Sequence, residues 1–259
     1  TLNPSSAASD VYKRQPSYGL ISRNGVLKVS DKLDTMGVFG KTVKDVALLA
    51  KTLIKKDLHD TSTVHYSADG MLDACEEGPV FEPKFIFYKT SKWKNINKKS
   101  QQAFEFLIKN FKKNIEVFDT PSYFEDIPKN HQIIHEVDMA NNMQVYYKKD
   151  KTKLSKELRE AISRGLKYSG KDYADAIDFM RQGYESYKEV FEDYHGIITP
   201  SSSGVADKGL KSTGSADFQK IWTYLGLPAI SLPLLTGEND LPLGVQSVSY
   251  THLTLPTTD

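Results

Sequence analysis

The chain has little of what marks most specialised protein classes. One cysteine, Cys75, among 259 residues excludes an internal disulfide framework and points to a reducing compartment, so a cytoplasmic location is expected. That thiol sits beside Glu76 and Glu77, whose like charge disfavours a thiolate, so it is a poor candidate nucleophile. The 34 Lys and Arg are offset by 33 Asp and Glu, leaving a net charge of +1 and no electrostatic excess to draw the chain onto nucleic acid or an anionic membrane. No apolar run reaches bilayer-spanning length, and neither a glycine-rich phosphate loop nor an internal repeat is present. What is there is a 39% hydrophobic content, enough for a chain of this length to bury a core.

Two terminal stretches stand apart from the rest. "SDVYKRQ" (9–15) and "SVSYTHLTLPTTD" (247–259) resemble translated sequencing-adapter read-through, and neither continues the pattern beside it. Residues 1–15 and 247–259 are therefore read as non-native tails and set aside from the fold, as an expression tag would be. Residues 16–246 are read as one partial domain whose ends are truncations.

Within that segment strand and helix signals alternate. Residues 16–34 carry Gly19, Asn24-Gly25 and further turn residues, which predicts short strands and loops. Thr42 followed by Asp45 is a capping-box pattern opening a helix whose apolar face is Val43, Val46, Ala47, Leu49, Ala50 and Leu53. After a loop, "KFIFY" (84–88), a helix over 98–113 and "IEVFDT" (115–120) form a strand, helix, strand crossover, which implies parallel neighbours in a helix-covered sheet. Residues 131–194 read as helical with breaks near Gly165 and Gly170; an aromatic stripe from Tyr173 to Phe191 belongs to a core. "GIITPSSSG" reads as a buried strand entering a polar loop, and "GLPAISLPLLTGENDLPLGVQ" as strand, turn, strand. The fold class is α/β, a mixed β-sheet covered by helices.

Candidate chemistry is sparse. His131 and His135 share a helical face at metal-ligand spacing, but Gln132 stands where a zinc-hydrolase signature needs glutamate and no third ligand is evident. No metal is expected, and His59, His65 and His195 read as structural. Ser201, Ser202 and Ser203 have no local base and no nucleophile-elbow pattern, so they read as loop serines satisfying backbone groups. Their loop follows a sheet strand, the usual place for a ligand in an open α/β sheet.

Three blocks, taken together, resemble the amidase signature family. "PSYGLISRNGVLKVSDKLDTMGVFGKTVKDVALL" looks like the segment following that family's catalytic core, matching at Pro16, Tyr18-Gly19, Ser22-Arg23, Gly25, Leu33-Asp34 and Gly37. "DYHGIITPS" resembles its strand ending in Thr-Pro, and "FQKIWTYLGLPAISLP" with "LPLGVQ" its closing block. The resemblance implies a partial amidase-signature fold and hydrolysis of a carbon-nitrogen amide bond by a serine, a second serine preceded by a cis peptide, and a lysine. All three would lie before the position aligned with Pro16, so no catalytic residue is assigned here and the chain by itself is expected to be inactive. Thr199, Pro200, Trp222 and Thr223 are read as the substrate-side wall. A small-molecule amide is the implied substrate of the full-length parent, with no cofactor, no nucleic-acid contact, no membrane partner and room for a homodimer. The family's glutamyl-tRNA(Gln)/aspartyl-tRNA(Asn) amidotransferase subunits are the alternative. Trp222-Thr223 is the general-amidase pattern; the tRNA-dependent subunits carry an acidic residue ten positions ahead of the glycine, where this chain has Ala216. A non-catalytic remnant or interaction protein is the reading from a different class.

Overall fold

The structure, a computed structural model, describes residues 11–77, 81–209 and 214–250. Seven strands form one sheet: β1 Tyr12–Gln15, β2 Val38–Gly40, β3 Phe85–Lys89, β4 Ile115–Asp119, β5 Gly196–Pro200, β6 Ala229–Thr236 and β7 Pro242–Val248. Their order is β2-β1-β6-β7-β5-β3-β4. The parallel pairs expected from the crossover are present, with β3 flanked by β4 and β5, while β5-β7, β7-β6, β6-β1 and β1-β2 run antiparallel.

Among the described residues seven α-helices accompany them: α1 Val43–Leu53, α2 Lys98–Asn110, α3 Ile127–Asn142, α4 Gln144–Asp150, α5 Lys156–Gly165, α6 Gly170–Asp193 and α7 Lys220–Tyr224. The α1 capping box forms as read, Thr42 accepting from the Asp45 N–H while Asp45 accepts from the Thr42 N–H. A second capping box, Ser169 with Asp172, opens α6. The breaks near Gly165 and Gly170 are real, and Gly165 has a packing reason: a β-carbon there would overlap the Glu136 carbonyl of α3.

Strand register assigns the layers. Val38, Arg14, Ile230, Ser247 and Ile198 are successive cross-strand partners and face one side, where α1 packs on Val38 and α2 on Phe87, Ile198 and Val245. On the other side Ile86, Tyr88, Ile197 and Val248 join Ile127 and Ile134 of α3, Ala176 and Tyr187 of α6, and Trp222 of α7 in the largest core cluster. The aromatic stripe of α6 therefore serves the core, Tyr187 being 1% exposed.

The sheet includes residues on either side of 16–246: Tyr12–Gln15 forms β1, paired on both sides, and Ser247 and Val248 complete β7. Backbone N–H and C=O groups pair whatever the side chains are, so a stretch set aside on its sequence can still fill a strand position. Residues 1–10 and 251–259 lie outside the described residues. The face of α1 is also narrower than its pattern: Val46, Ala47 and Ala50 are buried, but Val43, Leu49 and Leu53 are exposed.

The first resemblance block turns out to be a clamp. Arg23, buried, pairs with buried Asp60 at 3.3 Å, donates to the Asp31 carbonyl at 2.9 Å and lies 5.2 Å from the Tyr18 ring. Burial alone would raise the Asp60 carboxyl, but hydrogen bonds from Arg23 and Ser62 outweigh it and hold the group well below the usual carboxylate range. Asp34 accepts from the N–H groups of Val29 and Ser30, while Gly25, at φ +80°, sits in the turn that the Val26 N–H closes on the Arg23 carbonyl.

Candidate functional site

A row of buried polar side chains crosses the middle of the sheet. Lys13, Ser231, Gln246 and Thr199 are successive cross-strand partners on the face toward α7, exposed by only 8%, 8%, 3% and 0%. Sheet interiors in α/β folds are normally apolar, so a polar row at this depth has to be satisfied by specific partners. Gln246 Nε2 donates to Thr199 Oγ1 at 3.0 Å and to the Phe218 carbonyl at 3.1 Å, tying the chain before α7 to the sheet.

The loop after β5 continues this network. Ser201, 0% exposed, donates from Oγ to the Gly244 carbonyl at 2.7 Å, and its own carbonyl accepts from Gln219 Nε2. Ser202 Oγ donates to the Gly204 carbonyl at 2.5 Å. Both hydroxyls are committed to backbone, as loop serines without a base should be. On the far side of α7, Thr223 Oγ1 donates to Gln15 Oε1 at 3.1 Å and Gln15 Nε2 donates to the Leu227 carbonyl at 3.2 Å.

Of the four residues that the sequence marks as a candidate wall, three are thus brought to one face: Thr199 from β5, and Trp222 and Thr223 from α7. Pro200, buried, pairs with Val245 and belongs to the opposite face, because neighbouring strand residues alternate. Trp222 belongs to the core, 1% exposed with its ring 5.7 Å from that of Tyr187. Its Nε1, like Gln219 Oε1, is buried without a protein partner, leaving a spare donor and a spare acceptor beside the network.

Charge gathers at the rim. Asp217 is held below its ordinary value: burial raises it, but hydrogen bonds from Ser215 and Lys220 prevail, and Lys92 adds to them. Lys220 also bears on His131, which burial, with a smaller push from His135, lowers to about 3. The two imidazoles stack at 5.8 Å, and no group of three His, Cys, Asp or Glu that could hold a metal occurs among the described residues. His195 is structural, its Nδ1 accepting from the Lys84 N–H at 3.0 Å.

Two cavities open beside the sheet, one on each face. One of about 330 Å³ lies between α6 and the turn after α7, lined by Tyr18, Lys32, Arg181, Tyr184, Glu185 and Gly226 among others. The other, about 510 Å³, lies between α1 and the β1-β6 ladder and includes Arg14, Tyr66, Cys75 and Ser247. None of the four wall residues lines either one. Among these lining residues the sequence marks Tyr18 only as a match in the first resemblance block and Tyr184 only as part of a core stripe, and tertiary packing brings them together. Gln246, at the end of "LPLGVQ", did carry a signal, as a lone amide closing an apolar strand.

The amidase family model matches residues 6–251. The chain belongs to the amidase family. Among its curated relatives is a glutamyl-tRNA(Gln) amidotransferase subunit of Thermotoga maritima, 26% identical over 267 aligned positions that cover 90% of this chain and 55% of the relative. A solved 6-aminohexanoate cyclic dimer hydrolase superposes with a TM-score of 0.78 at 18% identity, covering 95% of this chain and 58% of that one. A structure from a vestigial protein complex bearing on the origins of an s-triazine catabolic enzyme gives 0.83 at 15%, covering 98% and 57%. The amidase chain described here thus spans about half the length of the relatives it matches. Among its described residues, no helix is long and apolar enough to cross a membrane.

Proposed function

We propose that this chain is the non-catalytic portion of an amidase that hydrolyses a carbon-nitrogen amide bond through a serine, a cis-peptide serine and a lysine supplied outside residues 16–246. The observation that carries this reading is the family match over 6–251 at about half the relatives' length. The commitment of Ser201 and Ser202 to backbone supports it, since neither hydroxyl has a base to take its proton. On this reading Thr199, Trp222 and Thr223, held by Gln246 and Gln15, form part of the wall against which the amide is positioned; Pro200 shapes the strand end behind them. The substrate is a small-molecule amide and the reaction needs no cofactor.

Residues 1–15 and 247–259 are read as adapter-derived. Lys13 and Arg14 support this for the first stretch. Both are largely buried in β1 with no acidic partner among the described residues, and burial lowers both amine and guanidinium. Sequences that belong to an interior strand rarely carry two unpaired cations.

A second reading, the amidase subunit of a tRNA-dependent amidotransferase, gains from the names of the curated relatives. Asp217 supports it too, a carboxylate at the rim one position after Ala216.

The purified chain is expected to release no ammonia from simple amides or from glutamine. Hydrolysis that disappears in Ser201→Ala would sink the proposal. Sequencing upstream of Pro16 gives the second check. An in-frame lysine and a glycine- and serine-rich stretch identify the amidase, whereas an in-frame start near Pro16 makes the chain a non-catalytic remnant.

A further inference from the structure

The cavity between α6 and the turn after α7 is graded by burial. Tyr224, Leu225 and Leu227 are buried, whereas Lys32, Arg181 and Glu185, which line the same space, are exposed. An apolar base under a charged rim is the arrangement of a small-molecule site. Its volume of about 330 Å³ lies at the low end of the range for such sites, roughly 300–1,000 Å³, which suits a compound of one ring and not a dinucleotide.

The walls are fixed by the chain itself. The Tyr224 hydroxyl donates to the Ala176 carbonyl at 2.6 Å and the Tyr18 hydroxyl to the Asp31 carbonyl, so both are committed as donors and what they offer the cavity is ring surface. Gly226, at φ +66°, brings its carbonyl to the Tyr18 N–H at 3.1 Å, and a β-carbon there would lie 3.2 Å from that of Tyr18.

The rim carries more positive charge than nearby carboxylates neutralise. Lys32 has no acidic partner among the described residues, and the adjacent Asp31 is already paired with Lys28 at 3.7 Å. Arg181 reaches Asp178 through Nη1 at 3.2 Å, and its other donors are unused among the described residues. Glu185 is the one carboxylate among the lining residues, against two cations.

We propose that this cavity binds a small organic acid with one ring, its carboxylate at Lys32 and Arg181 and its ring against Tyr18 and the buried Leu225–Leu227 turn. Opposite charge draws the acid to the mouth, and burial of the ring decides which acids stay. Glu185 repels a second acidic group, so a monocarboxylate fits better than a dicarboxylate. Binding here does not depend on amide hydrolysis, and loss of either leaves the other standing.

An NMR titration of the full chain with benzoate tests it, with benzamide as the uncharged match in shape and acetate as the charge without the ring. Benzoate is expected to saturate one site at about 1 mM, the scale for so few atoms, and benzamide and acetate to bind at least about tenfold more weakly. Lys32→Met and Arg181→Met should each weaken benzoate about threefold, the scale of one exposed ion pair. Lys32→Arg, which keeps the charge, should retain binding, and Lys171→Met at the start of α6 should leave it unchanged. All three positions are exposed, so the variants keep the fold and a loss of affinity reports on the site. No saturation by benzoate, equal binding of benzamide or acetate, or unchanged affinity in both Lys32→Met and Arg181→Met overturns the proposal. An equal loss in Lys171→Met also overturns it, by assigning the binding to general surface charge.

Discussion

Gln246 on β7 and Thr199 on β5 are joined side chain to side chain at 3.0 Å in the buried centre of the sheet, and the same amide holds the Phe218 carbonyl at the approach to α7. This side chain is one of the ties that hold α7, beside Gln219 on the Ser201 carbonyl and Thr223 on Gln15. Gln246→Leu removes both bonds and leaves two buried acceptors unmet, a loss of about 1–3 kcal/mol. Urea unfolding measures it. Combined with Thr199→Val, the change should cost less than the sum of the two, because the partners share a bond; full additivity would show that the pair is not coupled.

Gly165 lies where α5 crosses α3. Gly165→Ala puts a methyl into the Glu136 carbonyl and should destabilise by about 1–3 kcal/mol, through helix displacement and not through backbone conformation. The neighbouring Arg164–Glu136 pair, 2.7 Å apart, should loosen with it. Thermal unfolding of Gly165→Ala at or above the parent's midpoint would contradict this packing account.

Lys13 is 8% exposed, its amine lies 5.4 Å from the Phe39 ring, and burial lowers it to about 8. The folded chain therefore binds this proton less tightly than the unfolded chain. Its unfavourable contribution is full below pH 8 and fades as pH rises toward the ordinary lysine range, a change of about 3 kcal/mol at most. Lys13→Val should raise stability at pH 7 and flatten the rise between pH 8 and 10. Loss of stability in the variant would mean that the amine has a role in the fold.

His131 titrates with the same sign at the acid end. Burial lowers it to about 3, so the unfolded chain takes up the proton first as pH falls below the usual histidine range. Stability attributable to this group is complete above about pH 6.5 and drains away down to about pH 3, with His135 shifted in the same direction. His131→Leu should weaken the acid dependence of the unfolding midpoint; an unchanged slope would place the titration elsewhere.

The parts of this fold written locally were legible. Both caps of the Thr42-Asp45 box, the β3-α2-β4 crossover and the β6-β7 hairpin follow from residues only a few positions apart. What was not legible is tertiary. The spacing of Leu49 and Leu53 matches that of Val46 and Ala50, and nothing in the helix itself says which half of an apolar surface this chain covers. The polar row from Lys13 to Thr199 joins four strands, so its members look unrelated in sequence. For the wall residues, Thr-Pro and Trp-Thr drew attention through family resemblance, while alternation along β5 decided that Pro200 turns away.

The strand order also sets a schedule for assembly. β2 with β1, and β4 with β3 and β5, are two separate ribbons until β6 and β7 arrive between them. That hairpin follows the other five strands in the sequence, and Lys13 must wait for Ser231 before its strand is covered on both sides. At ribosomal speeds the delay is roughly 10–40 seconds. During that time the two half-sheets are held together only by the helices and loops between them, which makes the closing hairpin the step at which this chain becomes one cooperative unit.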